Sequence, residues 1–257
     1  MRIRVLQTTA QIGEAAADLV VEALRSRRDP LLGVATGSSP EPVYAALAAR
    51  AAAGLDLGDV DVVALDEYVG LPPGHPESYR AVVRRSVVEP LGIDPSRVRV
   101  PHVDASGSGA GFEASLAERG GADVQLLGIG HNGHLAFNEP GSPLDSRTRE
   151  VTLTGRTRHA NARFFGGDPA AVPARAVTQG LATVLSAHRL VLVATGAAKA
   201  AAVAAALQGP VSTACPASVL QSHQDVTVLL DPAAAADLEH VGDSPREPGD
   251  LLTAGTG

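Results

Sequence analysis

Short runs of apolar residues alternate along this chain with longer stretches in which apolar residues recur at helical spacing. The apolar runs predict strands at Leu31–Ala35, Val60–Leu65, Arg97–Val100, Val124–Ile129, Arg189–Ala194 and Val226–Leu230, with Val151–Leu153 as a shorter candidate. The stretches between them predict helices at Ile12–Arg25, Pro42–Ala53, Glu77–Glu89, Gly111–Arg119, Thr178–Ser186, Ala197–Leu207 and Ala217–His223. Strands that alternate with helices are typical of a mostly parallel sheet covered on both faces. We therefore expect a single-domain, Rossmann-like α/β fold.

Two segments and one proline modify this alternation. The segment Gly155–Arg175 holds four Arg, two Phe and two Pro, and its composition predicts a mobile lid beside the sheet. Residues 241–257 are rich in Pro, Gly and charge, so we expect one domain over residues 1–240 and a disordered tail after it. Pro90 is expected to end the helix predicted at Glu77–Glu89.

Composition narrows the classes of function. Only 3% of the 257 residues are aromatic, so Ala, Val and Leu must build the core. The net charge of −7 argues against nucleic acid or an anionic membrane as a partner. A single cysteine, Cys215, excludes a disulfide framework, and no apolar run resembles a signal peptide or a membrane span. These features favour a cytoplasmic protein.

The loop Leu127–Gly141 concentrates polar and titratable residues directly behind an apolar run. It contains two His, two Asn, one Glu and four Gly, and open α/β sheets bind ligands at this edge. Glycine lets the backbone approach a substrate closely, and His134 with Glu139 offers proton transfer near neutral pH. This loop is therefore the first candidate for a catalytic site.

Two other interpretations of the loop are disfavoured. Gly128–Gly133 matches the dinucleotide fingerprint G-x-G-x-x-G, but Asn138–Gly141 breaks any helix that would have to follow it. His131 and His134 could suggest a metal site, yet no further His or Cys lies nearby in the sequence to complete a ligand shell. We therefore expect this loop to bind neither a nucleotide nor a metal.

Another apolar strand delivers two adjacent acids, Asp66 and Glu67, at its end. Consecutive residues of a strand point to opposite sides, so one acid can enter a site while the other points elsewhere. A carboxylate in a partly dry cleft is a good base for removing a proton from carbon, because burial raises its pKa. A helix cap or a turn acid is the alternative.

Two strand–glycine–helix turns could bind phosphate. The first contains Gly37, Ser38 and Ser39, with Pro42 in the first turn of the following helix and Ser39 as its expected N-cap. Exposed N–H groups at such a helix start favour an anion. The second turn carries Lys199, the only lysine among 21 basic residues. A bound anion would explain a lysine there, whereas a solvated lysine is the alternative.

The segment Asn161–Phe165 offers an arginine followed by two phenylalanines. Arg163 can contact a phosphate through two hydrogen bonds, and the aromatic rings can exclude water. A solvated arginine is the alternative interpretation.

Taken together, these motifs resemble the glucosamine/galactosamine-6-phosphate isomerase family, which includes the glucosamine-6-phosphate deaminases. The resemblance extends over about Leu31 to Leu230, and it rests on the motifs Leu65–Gly70, His75–Tyr79, Gly133–Gly141, Ser146–Arg149 and Asn161–Phe165. The 6-phosphogluconolactonases share the fold and a Gly-His turn, but they continue that turn without Phe-Asn-Glu-Pro-Gly. The deaminase interpretation is therefore preferred.

The resemblance implies a role for each site residue. His134 would move the proton that opens the sugar ring, with Asn132 and Glu139 holding it, and Asp66 would move the proton from C2 to C1. Gly37, Ser38, Ser39, Arg163 and Lys199 would bind the phosphate of a phosphorylated amino sugar. The products would be fructose 6-phosphate and ammonia, and no metal or cofactor would be needed.

Two departures from the family pattern carry expectations. Position 132 is Asn where many members have Asp, so we expect the amide to accept a hydrogen bond from the His134 ring and to leave its pKa lower than Asp would. Val151 replaces a basic residue of the members activated by N-acetylglucosamine 6-phosphate, so weak or absent activation is expected.

The alternatives are a galactosamine-6-phosphate deaminase, a lactonase or other sugar-phosphate isomerase, and a non-catalytic sugar-phosphate sensor. A monomer and a homo-oligomer are both compatible with the sequence.

Overall fold

The computed structural model describes residues 1–25, 27–105 and 107–239; the predicted tail at residues 241–257 lies outside them. The strands are β1 Arg2–Val5, β2 Leu31–Val34, β3 Asp61–Ala64, β4 Asp66–Tyr68, β5 Val98–Arg99, β6 Val124–Leu127, β7 Arg149–Thr152, β8 Arg175–Thr178, β9 Leu190–Ala194 and β10 Val226–Leu230. The α-helices are α1 Thr9–Arg25, α2 Glu41–Ala52, α3 Tyr79–Val83, α4 Glu89–Leu91, α5 Ala110–Ala117, α6 Gly155–Asn161, α7 Leu181–Val184 and α8 Ala200–Leu207. No helix of the described ranges is long and apolar enough to cross a membrane.

Seven strands form one parallel sheet in the order β1-β10-β9-β6-β2-β3-β5. Its two faces are covered by separate apolar clusters, as the alternation along β3 shows: Val62 packs in one cluster and Val63 in the other. The α/β fold predicted from the sequence is therefore confirmed. The core is built mainly from Ala, Val and Leu, as the low aromatic content required.

A second, antiparallel sheet of β4, β8 and β7 was not predicted apart from the short β7. Its strands have three or four residues, and β4 consists of Asp66, Glu67 and Tyr68, whose polarity conceals a strand. Edge strand β1 was also missed, because its four residues alternate between exposed and partly buried positions and form no apolar run. The second sheet matters for function because Asp66 belongs to it.

Two predicted helices were wrong in extent or type. Thr178 ends strand β8, and helix α7 covers only four residues after Gly180, whose backbone packs so closely on Ser146 that a Cβ would lie 2.1 Å from its carbonyl oxygen. The helix predicted at Ala217–His223 is a 3-10 helix, Pro216–Ser222.

The helix predicted to stop at Pro90 continues through that residue. A π-helical turn, Arg84–Val88, joins α3 to α4, and α4 contains Pro90 and ends at Gly92, which adopts φ of 67°. Proline can occupy the first turn of a helix because no intrahelical partner needs its N–H. The helical segment therefore extends past the residue at which the sequence predicted its end.

Candidate functional site

A cavity of about 440 Å³ opens where the parallel sheet meets the second sheet. Seven of the predicted site residues line it: Gly37, Ser38, Ser39, Asp66, His134, Arg163 and Lys199. The other two, Asn132 and Glu139, do not line the cavity, and Asn132 is linked to it through the backbone of His134. The structure therefore gathers residues from separate motifs around one space.

Tight backbone turns fix the loop that follows β6. The Gly130 N–H donates to the His134 carbonyl at 3.0 Å, and the Gly133 N–H donates to the Gly130 carbonyl at 3.0 Å. A side chain would clash at both positions: a Cβ on Gly130 would lie 2.2 Å from Cε1 of His134, and one on Gly133 would lie 2.6 Å from Sγ of Cys215. The imidazole of His134 thus lies directly against the Gly130 backbone.

His134 is half-buried and its ring lies beside a second imidazole. Burial lowers the pKa of His134, while the negative charge of Glu139 acts in the opposite direction. The rings of His131 and His134 are 6.4 Å apart, and each has a buried nitrogen without a hydrogen-bond partner among the described residues. A neutral imidazole on a cavity wall can accept a proton from a bound molecule and return it.

Glu139 receives hydrogen bonds from two directions. Asn132 Nδ2 donates to Oε2 at 2.9 Å, and the hydroxyl of Thr157 donates to Oε1. The expectation that Asn132 would accept a hydrogen bond from the His134 ring is wrong. Its Oδ1 instead accepts the backbone N–H of His134 at 3.3 Å, because the amide nitrogen is directed to Glu139. Asn132 therefore fixes the loop backbone rather than the ring.

Asp66 and Glu67 face different environments, as the sequence predicted. Asp66 is 6% exposed, and burial, followed by the charge of Glu67, raises its pKa to about 8. Glu67 accepts the backbone N–H groups of Tyr79 at 2.8 Å and Arg80 at 2.9 Å at the start of α3. Glu67 is thus a helix-capping acid, and Asp66 alone of the two lines the cavity.

The expected N-cap role of Ser39 is wrong. Pro40 occupies the position before α2, with helical φ and ψ and no side-chain cap, which leaves Ser39 outside the helix. Pro42 does lie in the first turn, as predicted. Ser39 instead faces the loop after β6, where a Cβ on Gly128 would lie 3.3 Å from its Oγ.

Two cationic side chains, Lys199 and Arg163, line the cavity. Nζ of Lys199 donates to the Ile129 carbonyl at 2.7 Å, so the lysine is not simply solvated. Burial, and then the charge of Arg163, lowers its pKa. The Arg163 guanidinium lies 4.7 Å from the ring centre of Phe164, which is 44% exposed. A half-buried cation with a second, exposed cation nearby is a favourable environment for an anion.

An aromatic wall lines the cavity; its tyrosines, Tyr68 and Tyr79, were not singled out from the sequence, whereas Phe165 was. The rings of Tyr68 and Tyr79 are 4.8 Å apart, and Phe165 packs edge-on against Tyr68 at 5.5 Å. Nδ2 of Asn161 donates to the Tyr68 hydroxyl at 3.0 Å. The segment predicted as a lid is thus folded here as α6 and a 3-10 turn, Ala162–Phe164, against the cavity. All three rings belong to motifs that carry the family resemblance, and this was the available signal.

Among the residues that the structure describes, no group of three or more His, Cys, Asp or Glu is placed to hold a metal ion.

Comparison with known proteins agrees with this geometry. Residues 6–229 match the family described as glucosamine-6-phosphate isomerases/6-phosphogluconolactonase. The chain is 52% identical over 231 residues to a glucosamine-6-phosphate deaminase of Streptomyces coelicolor, covering 88% of each chain. It is 50% identical over 242 residues to one of Pseudarthrobacter chlorophenolicus, covering 93% of each.

Two solved structures have a similar fold. A monomeric glucosamine-6-phosphate deaminase superposes with a TM-score of 0.86 at 38% identity, covering 92% of this chain and 100% of that one. A 6-phosphogluconolactonase from Trypanosoma brucei superposes with a TM-score of 0.70 at 22% identity, covering 93% and 98%. The second likeness concerns the fold alone.

Proposed function

The chain belongs to the family of glucosamine-6-phosphate isomerases and 6-phosphogluconolactonases, and we propose that it acts as a glucosamine-6-phosphate deaminase. The reaction converts glucosamine 6-phosphate and water into fructose 6-phosphate and ammonia. Identities near 50% over most of the chain to deaminases support this function. The lactonases share the fold at much lower identity.

The observation that carries the proposal is the buried carboxyl of Asp66, which lines the same cavity as the half-buried imidazole of His134. Opening a lactone needs no base for a carbon-bound proton, whereas moving a proton from C2 to C1 does. A pKa of about 8 places the Asp66 carboxyl within reach of that task near neutral pH. In its ionised form it would take the C2 proton of the open-chain aldose and return it at C1.

The ring-opening step is assigned to His134. Its imidazole would take the proton of the C1 hydroxyl and deliver it to the ring oxygen, which breaks the bond between C1 and that oxygen. Burial keeps the pKa of His134 low, so the ring is neutral and able to accept the first proton. Glu139 and Asn132 would hold this loop, with the carboxylate charge stabilising the imidazolium that forms in passing.

The phosphate end is assigned to the cations and the hydroxyl-bearing turn. Lys199 and Arg163 would bind phosphate oxygens together with Ser38, Ser39 and the backbone at Gly37, all of which line the cavity. Anchoring the phosphate would hold the open-chain sugar in the cavity that Asp66 and His134 also line. The imine formed by proton transfer then takes up water at C2 and loses ammonia.

The experiment is a product assay with three substrates. Wild type and Asp66→Asn are incubated with glucosamine 6-phosphate, galactosamine 6-phosphate and 6-phosphogluconolactone, and ammonia and the sugar-phosphate product are quantified. We expect one fructose 6-phosphate per ammonia from the first substrate, and loss of both products in the variant. Activity on the lactone alone would contradict the proposed function and identify a lactonase. Preference for galactosamine 6-phosphate would identify a galactosamine-6-phosphate deaminase.

The compartment and assembly belong to the same proposal. The single cysteine and the sugar-phosphate substrate support a cytoplasmic location. Light scattering would distinguish a monomer from a homo-oligomer, both of which the sequence allows; one similar deaminase is described as monomeric.

A further inference from the structure

Glu139 connects the loop after β6 to the segment that covers the cavity. Its Oε2 accepts from Asn132 Nδ2 at 2.9 Å, and its Oε1 accepts from the hydroxyl of Thr157. The hydroxyl of Thr154 lies 3.2 Å from the same Oε1. Both threonines belong to the start of α6, so one carboxylate is held from two separate elements.

These partners favour the ionised form of Glu139 as well as fixing its position. Asn132 and Thr157 each donate to a different carboxylate oxygen, and hydrogen bonds donated to a carboxylate stabilise its charged form. Although burial raises the pKa of Glu139, the hydrogen bonds from Thr157 and Asn132 and the charge of His134 hold it below its ordinary value. His131 also faces this charge, from the same loop as His134.

Thr157 contacts the carboxylate of Glu139 and also lines the cavity. Its side chain is 8% exposed and lines the cavity, and its backbone N–H donates to the N-cap Thr154 at 3.1 Å. Six residues later in the same segment, Arg163 lines the cavity at the end assigned to phosphate. A single short stretch therefore carries the hydroxyl that contacts Glu139 and the guanidinium assigned to the substrate.

We propose that Thr157 is a positioning residue, whose hydroxyl holds the ionised Glu139 beside His134 and links that charge to the placement of the cavity-covering segment. This inference rests on the proposed function and extends it by adding a residue to which the sequence motifs gave no role. The essential property is the hydroxyl rather than the shape of the side chain. Serine should therefore serve at this position, and valine should not.

The test compares Thr157→Val with Thr157→Ser. The carboxyl carbon of Glu139 is followed by NMR in protein labelled at glutamate, and Glu139→Gln identifies its signal. We expect the pKa of Glu139 to rise by about one unit in the valine variant, since a hydrogen bond to a charged group has about this effect. The serine variant should titrate with the wild type.

Kinetics provide a second readout. In Thr157→Val, kcat for ammonia release should fall about tenfold, and the acidic limb of its pH profile should move to higher pH; Thr157→Ser should restore both. An unchanged Glu139 pKa in Thr157→Val with a wild-type pH profile would overturn the inference. Loss in both variants with an unchanged pKa would also overturn it, because the side chain would then serve packing alone.

The NMR titration separates this inference from the proposed function. If the wild type releases no ammonia but the pKa of Glu139 still depends on the Thr157 hydroxyl, the proposed function fails and the positioning role stands. Thermal unfolding of each variant checks that α6 remains folded.

Discussion

Replacing Gly130 with alanine should displace the His134 imidazole while leaving the fold intact. An ideal Cβ at Gly130 would lie 2.2 Å from Cε1, 2.3 Å from Nδ1 and 2.4 Å from Nε2 of that ring. Carbon atoms in contact prefer about 3.5–4.0 Å, so the ring must move by more than about 1 Å. Gly130 does not adopt a positive φ, so the backbone itself tolerates alanine.

The expected cost is mainly catalytic. Overpacking of this kind destabilises a protein by about 1–3 kcal/mol, which a folded domain can absorb. A displacement of about 1 Å in a catalytic group costs about a hundredfold in rate. In Gly130→Ala, kcat for ammonia release should thus fall about a hundredfold.

A matched glycine provides the control. Gly111 lies within α5, has no neighbour within 4 Å of an added Cβ, and is remote from the cavity lining. Gly111→Ala should keep full activity and gain up to about 1 kcal/mol through helix propensity. Wild-type kcat in a folded Gly130→Ala would refute the reasoning, because the imidazole would then not need the position seen here.

Three further predictions follow from the charges of the site. In Asn132→Asp, a carboxylate replaces the amide that donates to Glu139. The two like charges should raise the pKa of one of the two carboxyl groups and the pKa of His134, so the acidic limb of the pH–rate profile should move to higher pH. An unmoved limb would show that the group at position 132 does not influence the pKa of His134. For Asp66, folding raises the pKa from its ordinary value of 3.8 to about 8, so its stabilising contribution is complete below about pH 4 and is lost as the pH rises toward 8. Thermal unfolding should accordingly show that Asp66→Asn gains stability relative to wild type at about pH 9 and less at about pH 5; a gain independent of pH would contradict the raised pKa. Lys199→Met should raise KM about tenfold or more through the loss of a charged phosphate contact, and inorganic phosphate should inhibit it less than wild type; an unchanged KM would remove Lys199 from the phosphate site.

Much of this site could be predicted because its residues follow strands with clear apolar patterns. Strands β2, β6 and β9 are fully buried runs, and parallel strands bring their carboxyl ends to one edge of the sheet. The turns after them therefore had to meet, which is why the turn at Gly37, the His134 loop and Lys199 line one cavity.

The errors arose where local chemistry is decided by tertiary contacts. Strand β4 is held by pairing with β8 and not by an apolar pattern, so Asp66 seemed to end a strand that in fact stops at Ala64. Ser39 has the chemistry of an N-cap, but Pro40 takes that position. The Asn132 amide donates to Glu139, seven residues away, and this contact could not be read from the sequence around Asn132.

The most direct test of the central claim is hydrogen exchange at C1 of fructose 6-phosphate. The sugar phosphate is incubated with ammonium and the enzyme in heavy water, and the C1 signals are followed by NMR. If Asp66 moves a proton between C1 and C2, wild type should exchange one C1 hydrogen and Asp66→Asn should not, although the variant still binds the sugar phosphate. Exchange at the wild-type rate in Asp66→Asn would contradict the account, because another group would then be the carbon base.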